Sequence, residues 1–484
     1  MRARSRAAAA ALLVAGFGAG CRRELPPADV GFVARWTATH YALARAERLS
    51  PVVAARVSAY ASIALYEGWA AFSDSLVSLA GQLNGLDSLP RPPADGQYDP
   101  ATVAVEAQTT VLLDLYHDGF ASTGVAIRAL HDSLIGARRS QGISEAVVQR
   151  SAAYGGQLGK ALLAWAATDG YLATRDKPFQ LRKGADAWIP TATEAEYRAQ
   201  NLSAERDVVL LGRPTGATGV GELGDRTYTV NRPKPMGTTL VPGINVTKPV
   251  EPYWGELRTF ALLSADSCQA TPPMPYSSAR GSDFYRQVDT VYQIGKTLTD
   301  EQRAIAYFWA DNPGESGTPS GHWLGIISQL AEQRRLTPER AAEVYALSAI
   351  AMADAFIVCW RLKYSISLLR PVTFIQRHID PKWHPLLLTP PFPEFASGHA
   401  IQSAATAEVL SAFLGDSTSF EDATHVPLGH PPRTLASFRA AAAEVGMSRV
   451  YGGIHYPMSN WLGQEQGRCV GRSVLERVRT RKER

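Results

Sequence analysis

The sequence PFPEFASGH at residues 391–399 is the middle one of three blocks that organise this chain. The first block is WRLK at 360–363, followed by RP at 370–371, and the third is SRVYGGIH at 448–455. Among their residues are the cations Lys363, Arg370 and Arg449, a serine–glycine pair and two histidines. These groups can hold a tetrahedral oxyanion and move protons on it. Their order therefore predicts one anion-binding site assembled from distant parts of the sequence.

Helical patterns surround these blocks. Apolar residues recur at helical spacing from about residue 29 to 170 and again from 283 onward, and no stretch alternates as a strand does. In the second half the predicted helices are 283–296, 299–311, 321–333, 338–369, 397–414, 434–447 and one after Pro457. The sequence thus predicts an all-α protein made of helical bundles.

The length of 484 residues suits one large domain or two fused ones. We divide the chain into a signal peptide (1–20), an N-terminal helical half (21–175), a loop-rich connecting segment (176–281) and a C-terminal catalytic bundle (282–484). Pro, Gly and Thr are dense in the connecting segment, and helical periodicity fades there. Such a composition is typical of a functional lid or a wrapping loop.

The N-terminus has the pattern of an export signal. Arginines in the first six residues precede a short apolar run at 7–14, and small residues at 18–20 precede Cys21. A cysteine in this place resembles a bacterial lipoprotein cleavage site, although Gly18 stands where a leucine is usual. We expect a protein of the periplasm or cell envelope, attached to the membrane only through a lipid anchor at Cys21. Plain secretion is the alternative.

Charge and cysteine content exclude other classes of protein. Removing the three N-terminal arginines lowers the net charge from +4 to about +1, which is too little to favour nucleic-acid binding. No later run reaches the roughly 18 apolar residues of a membrane span. The remaining cysteines, Cys268, Cys359 and Cys469, lack short paired spacing. We expect core thiols rather than a zinc site or a disulfide framework.

Lys363 and Arg370 lie seven residues apart, which is nearly two helical turns. One continuous helix would therefore place both cations on the same face. The apolar residues around them predict that this helix is mostly buried. Because a buried cation needs a partner anion, the pair favours an anion site over a solvated surface.

Ser397, Gly398 and His399 open a predicted helix after a proline-rich loop. Free amides and the helix dipole make such a start an oxyanion site, and glycine lets the backbone approach a ligand closely. His399 can then pass protons. The same triplet recurs at 320–322, where no arginine–histidine block lies at a suitable distance. We interpret that copy as another helix start; the alternative is that it forms the true site.

Arg449 and His455 are six residues apart and would lie on different faces of one straight helix. The glycines at 452–453 predict a break, and Pro457 suits the first turn of a following helix. The two side chains can then converge from either side of a turn. The alternative is a helix–turn–helix with an incidental histidine.

The three blocks together resemble the vanadium-dependent haloperoxidases and the related type 2 phosphatidic acid phosphatase superfamily. The superfamily pattern is Lys-x6-Arg-Pro, then Ser-Gly-His, then Ser-Arg-x5-His. Residues 363–371, 397–399 and 448–455 match it in order and spacing. The resemblance extends over most of the mature chain and implies a pair of four-helix bundles.

The resemblance also implies roles. His455 would be the axial nitrogen ligand of vanadium, and His399 the acid–base residue. The oxygens of vanadate would be neutralised by Lys363, Arg370, Ser397, Gly398 and Arg449. Trp360 and Phe392 fall where fungal chloroperoxidases carry an aromatic pair near the halide. The implied activity is oxidation of halide by hydrogen peroxide to hypohalous acid, with vanadate as cofactor and small organic molecules as further substrates.

Two alternatives stay open. Phosphate can occupy the same site, so an acid phosphatase could use His455 as nucleophile and His399 as leaving-group acid. An envelope lipoprotein that keeps the fold without activity is the second alternative. Its support is Ser459, which stands where the family often has an aspartate four residues after the ligand histidine. Serine carries no charge with which to orient or polarise a neighbour.

Overall fold

The computed structural model describes residues 25–191 and 249–482 of the chain. Its first helices are α1 (Gly31–Ala46), α2 (Pro51–Ala70), α3 (Pro100–Leu115), α4 (Ala121–Ser140), α5 (Glu145–Ala166) and α6 (Tyr171–Thr174). They are followed by α7 (Asp283–Lys296), α8 (Asp300–Phe308), α9 (Thr318–Gln333), α10 (Pro338–Ile366), α11 (Pro371–His378), α12 (Gly398–Leu414), α13 (Phe438–Tyr451) and α14 (Pro457–Arg477). The predicted all-α fold is confirmed.

Most helices begin at a residue suited to that position. Proline occupies the first turn of α2, α3, α10, α11 and α14, where its missing N–H costs no hydrogen bond. Serine, threonine or aspartate side chains accept a hydrogen bond from an amide of the first turn in α3, α5, α7, α10 and α12. At α8, Thr299 and Gln302 form a complete capping box.

Helix α10 is the centre of the molecule. It packs against α2 on the N-terminal side and against α12 on the C-terminal side, while α3 joins α2 to α5 and α12 packs on α13 and α14. Helix α10 is long and apolar enough to cross a membrane, but its apolar window is wholly buried in the protein. It therefore has the character of a core helix. Helices α12 and α14 approach closely, since a Cβ at Gly467 would lie 2.2 Å from the Ile401 carbonyl oxygen.

Two elements differ from the sequence prediction between α12 and α13. Strands β1 (Phe420–Asp422) and β2 (Arg433–Leu435) pair antiparallel, although no strand was expected. Thr434 lies in β2 instead of opening a helix, and α13 begins after Ser437, whose side chain accepts from the Ala440 amide. Each strand has three residues, too few for the alternation that reveals a strand in a sequence.

The cysteine prediction is wrong for two of the three residues. Cys268 and Cys469 form a disulfide across 201 residues of sequence, which ties the loop before α7 to α14. Cys359 is a free, buried thiol in α10, as expected. Spacing gave no signal for the pair, because helix packing and not local sequence brings the two cysteines together.

Part of the organisation lies outside the described residues. This holds for the signal segment at 1–20, for Cys21 and for 192–248 of the connecting segment. The described ends of that segment are irregular, apart from a 3-10 turn at Trp254–Glu256. The four-part division of the chain stays a prediction.

Reduction of the disulfide should destabilise the protein. We expect the free energy of unfolding in urea to fall by about 2–4 kcal/mol when reductant is added, because the open chain gains conformational entropy. The Cys268→Ser/Cys469→Ser double variant should show the lower stability with or without reductant. Cys359→Ala, which keeps Cys268 and Cys469, is the matched control. Its stability should still fall when reductant is added. An equal response of the double variant to reductant would contradict the assignment.

Candidate active site

Lys363 and Arg370 are both fully buried, but they do not share a helix. Helix α10 ends at Ile366, where Ser367 adopts a left-handed φ of 52°, and Arg370 directly precedes α11. The prediction of one helix face is therefore wrong. Its physical reason is Pro371, which disfavours the helical conformation for the residue before it. The two cations still converge, since Lys363 Nζ and Arg370 Cζ lie 5.1 and 5.2 Å from the centroid of the Phe392 ring.

Backbone carbonyls hold both side chains. The Lys363 ammonium donates to the carbonyls of Pro393 and Glu394, each at 2.9 Å, which leaves its third proton for a ligand. The Arg370 guanidinium donates to the Phe392 carbonyl at 2.9 Å and to the Ile454 carbonyl at 2.8 Å. The two cations thus join the second sequence block to the third.

The Ser-Gly-His block opens a helix, as predicted. The Ser397 hydroxyl oxygen accepts from the Ala400 amide at 3.4 Å and caps α12, so its hydrogen can still be donated elsewhere. The His399 ring is hydrogen-bonded to the backbone of Ala310. Its Nε2 atom is buried and has no hydrogen-bond partner among the described residues. His399 therefore has one fixed nitrogen and one available nitrogen.

Arg449 and His455 flank a turn, as predicted. Arg449 lies in the last turn of α13, and His455 stands two residues before α14. Gly453 has a φ of 76°, and a Cβ there would lie 3.0 Å from Pro385, so the turn requires glycine. The Arg449 guanidinium donates to the Trp309 carbonyl at 2.8 Å, beside the Ala310 backbone that binds His399.

Burial and mutual repulsion set the charges of the site. Burial, together with nearby cations, holds the pKa of His455 well below its usual value, and burial with Arg449 does the same for His399. Burial also lowers the pKa of Lys363 to about 7 and that of Arg449 to about 10. The site therefore presents neutral imidazoles inside a cluster of cations.

Sequence reasoning missed Glu394. Its fully buried carboxylate accepts from His455 Nδ1 at 2.9 Å, from the Tyr456 amide at 2.9 Å and from the Ser459 hydroxyl at 2.7 Å. Because Nδ1 donates to Glu394, the lone pair of His455 lies on Nε2, which is 3.2 Å from Arg370 Nη1. Ser459 stands where the family often has an aspartate and has no carboxylate. The carboxylate that orients His455 is that of Glu394. A glutamate within an apolar, proline-rich block was the signal in the sequence.

The aromatic pair lies against the same cations. The ring centroids of Trp360 and Phe392 are 4.9 Å apart, and Lys363 Nζ lies 5.1 Å from the centroid of Phe392. The indole N–H of Trp360 donates to the Val250 carbonyl at 3.3 Å. Trp360 therefore offers its ring, and not its N–H, to a small molecule at the site.

The second Ser-Gly-His copy is a helix start, as interpreted, in the first turns of α9. His322 is fully buried between Asp311 and Asp422, with ring nitrogens 3.0 and 2.8 Å from their carboxylates. Both of its nitrogens therefore face carboxylates, whereas His455 has one nitrogen against Glu394 and the other beside Arg370.

These features define an all-α protein with a buried, cation-rich site and an oriented neutral histidine. A family model described as the VCPO second helical-bundle domain matches residues 343–483. A bacterial vanadium-dependent iodoperoxidase of known structure is 32% identical over 95% of this chain and 99% of that chain, with a TM-score of 0.77. The chain belongs to the vanadium-dependent haloperoxidase family.

Two further solved structures share the fold. The holo and apo forms of a bacterial vanadium-dependent chloroperoxidase are 15% and 14% identical, with TM-scores of 0.65 and 0.61. The matches cover 94% and 89% of this chain and 99% and 94% of those chains. No curated protein matches the sequence.

Neutralising Glu394 should weaken binding of vanadate. In Glu394→Gln the side chain keeps its shape but loses the charge that fixes the proton of His455 on Nδ1, and such losses typically cost about 10–100-fold in affinity. Calorimetric titration with vanadate measures the change. Ser459→Ala, which removes one of the three hydrogen bonds to the carboxylate, is the matched control with a smaller expected loss. Unchanged affinity in Glu394→Gln would show that the carboxylate does not act on His455.

Proposed function

We propose that this protein is a vanadate-dependent haloperoxidase that oxidises halide with hydrogen peroxide to hypohalous acid. The observation that carries the proposal is the orientation of His455, whose Nε2 lone pair faces Arg370 while Glu394 accepts the proton of Nδ1. A neutral imidazole oriented by a carboxylate is the usual form of a histidine that ligates a metal.

The charges and donors of the residues suit an oxyanion such as vanadate. Lys363, Arg370 and Arg449 are buried cations that donate to backbone carbonyls, which carry no net charge. Arg449 Nε and His399 Nε2 are buried without a hydrogen-bond partner among the described residues. Buried polar atoms without a hydrogen-bond partner are costly unless a ligand supplies the partner.

Each residue has a role in this proposal. His455 Nε2 holds vanadium, which when bound acts as a Lewis acid that activates peroxide. Neutralisation of the oxyanion falls to Lys363, Arg370, Arg449, the Ser397 hydroxyl and the Gly398 amide. His399 holds or moves a proton at its available Nε2. This assignment agrees with the low pKa of His399, since a neutral imidazole can accept a proton.

We call the group of Lys363, Arg370, Ser397, Gly398, His399, Arg449 and His455 the oxyanion cage. We assign the halide to the side of this cage that carries the aromatic pair. Trp360 and Phe392 form an apolar wall there, and Lys363 and Arg370 lie 5.1 and 5.2 Å from the centroid of Phe392. An apolar wall beside buried cations favours a large, weakly hydrated anion. The relative at 32% identity is an iodoperoxidase, so iodide is the first halide to test.

A phosphatase is the second candidate, because the orientation of His455 by Glu394 favours it as well. A neutral histidine oriented by a carboxylate is also a good nucleophile, and the same cations would bind phosphate. The inactive-lipoprotein alternative loses its main support, since Glu394 provides the carboxylate that Ser459 does not.

We also propose that the protein works outside the cytoplasm. The Cys268–Cys469 disulfide supports this, because disulfides persist in oxidising compartments. The export pattern at the N-terminus agrees with it, and the lipid anchor at Cys21 stays a prediction.

Parallel assays separate the two activities. Purified protein depleted of vanadate should gain peroxide-dependent oxidation of iodide or bromide when vanadate is added, and phosphate should compete with vanadate for the same site. Hydrolysis of a phosphate ester is measured on the same preparation. Ester hydrolysis without any vanadate-dependent halide oxidation would favour the phosphatase. Vanadate affinity that saturating phosphate leaves unchanged would contradict the shared pocket.

Alanine variants of the two histidines should fail differently. His455→Ala should lose tight vanadate binding together with activity, because the covalent tether is gone. His399→Ala loses only a hydrogen bond worth roughly 0.5–3 kcal/mol, so binding should weaken at most ~100-fold. Its rate should fall by about 10²–10⁴ as proton transfer is lost. Calorimetry and a halide-oxidation assay measure both, with the exposed His117→Ala as control. Equal binding losses in the two variants would mean that the ligand is misassigned.

A further inference from the structure

A second cluster of buried polar side chains lies beside the oxyanion cage. Asp311, His322, Asp422 and His425 are each at most 5% exposed. They come from four places in the chain: the loop after α8, the start of α9, strand β1 and the turn that follows β1. The proposed function uses none of them. Four buried ionisable groups brought together from distant sequence positions call for a physical explanation.

The proton positions on His425 follow from its contacts. Nδ1 lies 3.0 Å from the carbonyl oxygen of Phe308, which can only accept, so Nδ1 carries the hydrogen. Nε2 of the neutral ring therefore carries the lone pair. This atom is buried, has no hydrogen-bond partner among the described residues and lies 3.5 Å from Asp311 Oδ1. Two acceptors thus face each other with no hydrogen between them.

Both ring nitrogens of His322 lie against carboxylates. Its Nε2 lies 2.8 Å from Asp422 Oδ2, and its Nδ1 lies 3.2 and 3.0 Å from the two oxygens of Asp311. When Nε2 donates to Asp422, the lone pair of Nδ1 also faces Asp311. Each histidine then has one nitrogen fixed by an acceptor and one directed at the same carboxylate. This is the usual outer-shell arrangement of histidines that ligate a metal.

The separations of the donor atoms suit a small cation. One atom from each of Asp311, His322 and His425 lies within 4.8 Å of the others. Bonds of about 2.0–2.1 Å in a tetrahedral zinc site imply donor separations of roughly 3.3 Å. The two separations from Asp311 Oδ1, 3.2 Å to His322 Nδ1 and 3.5 Å to His425 Nε2, agree with this value.

We propose that Asp311, His322 and His425 form a second metal site, which binds a divalent transition cation of the zinc type. Two imidazole nitrogens and one carboxylate are a donor set typical of zinc. A dication would also balance the two carboxylates of the cluster, Asp311 and Asp422, when both histidines are neutral. Asp422 would be an outer residue that orients His322.

A proton on His322 is the competing occupant. Burial disfavours the imidazolium, but Asp311 and Asp422 outweigh burial and raise the pKa of His322 to about 10. Such a proton would satisfy His322 and both carboxylates. The proton on His322 would still leave His425 Nε2 facing Asp311 Oδ1 with no hydrogen between them. A cation accounts for the contact of Asp311 with His425 as well as for its contact with His322.

The position of the site suggests what the cation does. Asp311 directly follows Trp309 and Ala310, whose backbone groups bind Arg449 and His399. A cation on Asp311 would therefore fix the segment that holds two groups of the oxyanion cage. This role is structural, and the site itself does not depend on which reaction the cage performs.

The test is metal binding by the full chain in the absence of vanadate. Protein stripped with a chelator should bind one equivalent of Zn²⁺ by calorimetry, and Co²⁺ should give a visible ligand-field spectrum. His425→Gln should lose this binding, and Asp422→Asn should weaken it about 10–100-fold. His430→Gln is the matched control, since its ring lies 6.1 Å from that of His425 and is not in the donor set. His455→Ala should also keep the cation.

Two outcomes would overturn the proposal. One is a wild-type chain that binds no stoichiometric cation, in which case the proton on His322 is the occupant. The other is a bound cation that His425→Gln retains with unchanged affinity. Thermal melting shows whether each variant is folded; if His425→Gln is not, the wild-type stoichiometry and the Asp422→Asn arm decide.

Discussion

The site depends on how three buried cations are held without being neutralised. Lys363, Arg370 and Arg449 donate to backbone carbonyls of residues 392–394, 454 and 309–310. A carbonyl satisfies a donor but carries no net charge, so the positive field is left for a ligand. Buried carboxylates in these places would form ion pairs and occupy the cations. The fold must therefore bring three loops to the cations, and the packing around α10, α12 and α14 does so.

The nearby carboxylates lie against histidines. Glu394 accepts from His455 Nδ1, and Asp311 faces His322 and His425. Glu394 thereby places the lone pair of His455 on Nε2. Asp311 instead faces the ring nitrogens opposite those that lie against Asp422 and the Phe308 carbonyl. Glu394 has a second effect: its backbone carbonyl accepts from Lys363. One residue of the second sequence block thus orients the histidine and holds a cation.

Sequence alone predicted the helices and the three blocks well, because both rest on local patterns. Apolar periodicity, proline at helix starts and the glycine turn before His455 all act within a few residues. The error at Arg370 was avoidable in principle, since a residue before proline is a poor helix residue. The Cys268–Cys469 disulfide and the contact of Glu394 with His455 join residues 201 and 61 apart, and only packing brings them together.

The two Ser-Gly-His copies show how far a motif can determine chemistry. Both start helices, so the local sequence gives both the same conformation. His399 faces Arg449, and with burial this holds its pKa well below the usual value; His322 faces two carboxylates, which raise its pKa to about 10. One ring is therefore suited to accepting a proton, and the other to holding a proton or a cation. The difference comes from the charged groups opposite each ring, which are Arg449 for His399 and the carboxylates of Asp311 and Asp422 for His322. A triplet thus fixes where a histidine is placed, while the charges that the fold puts opposite it decide what the histidine does.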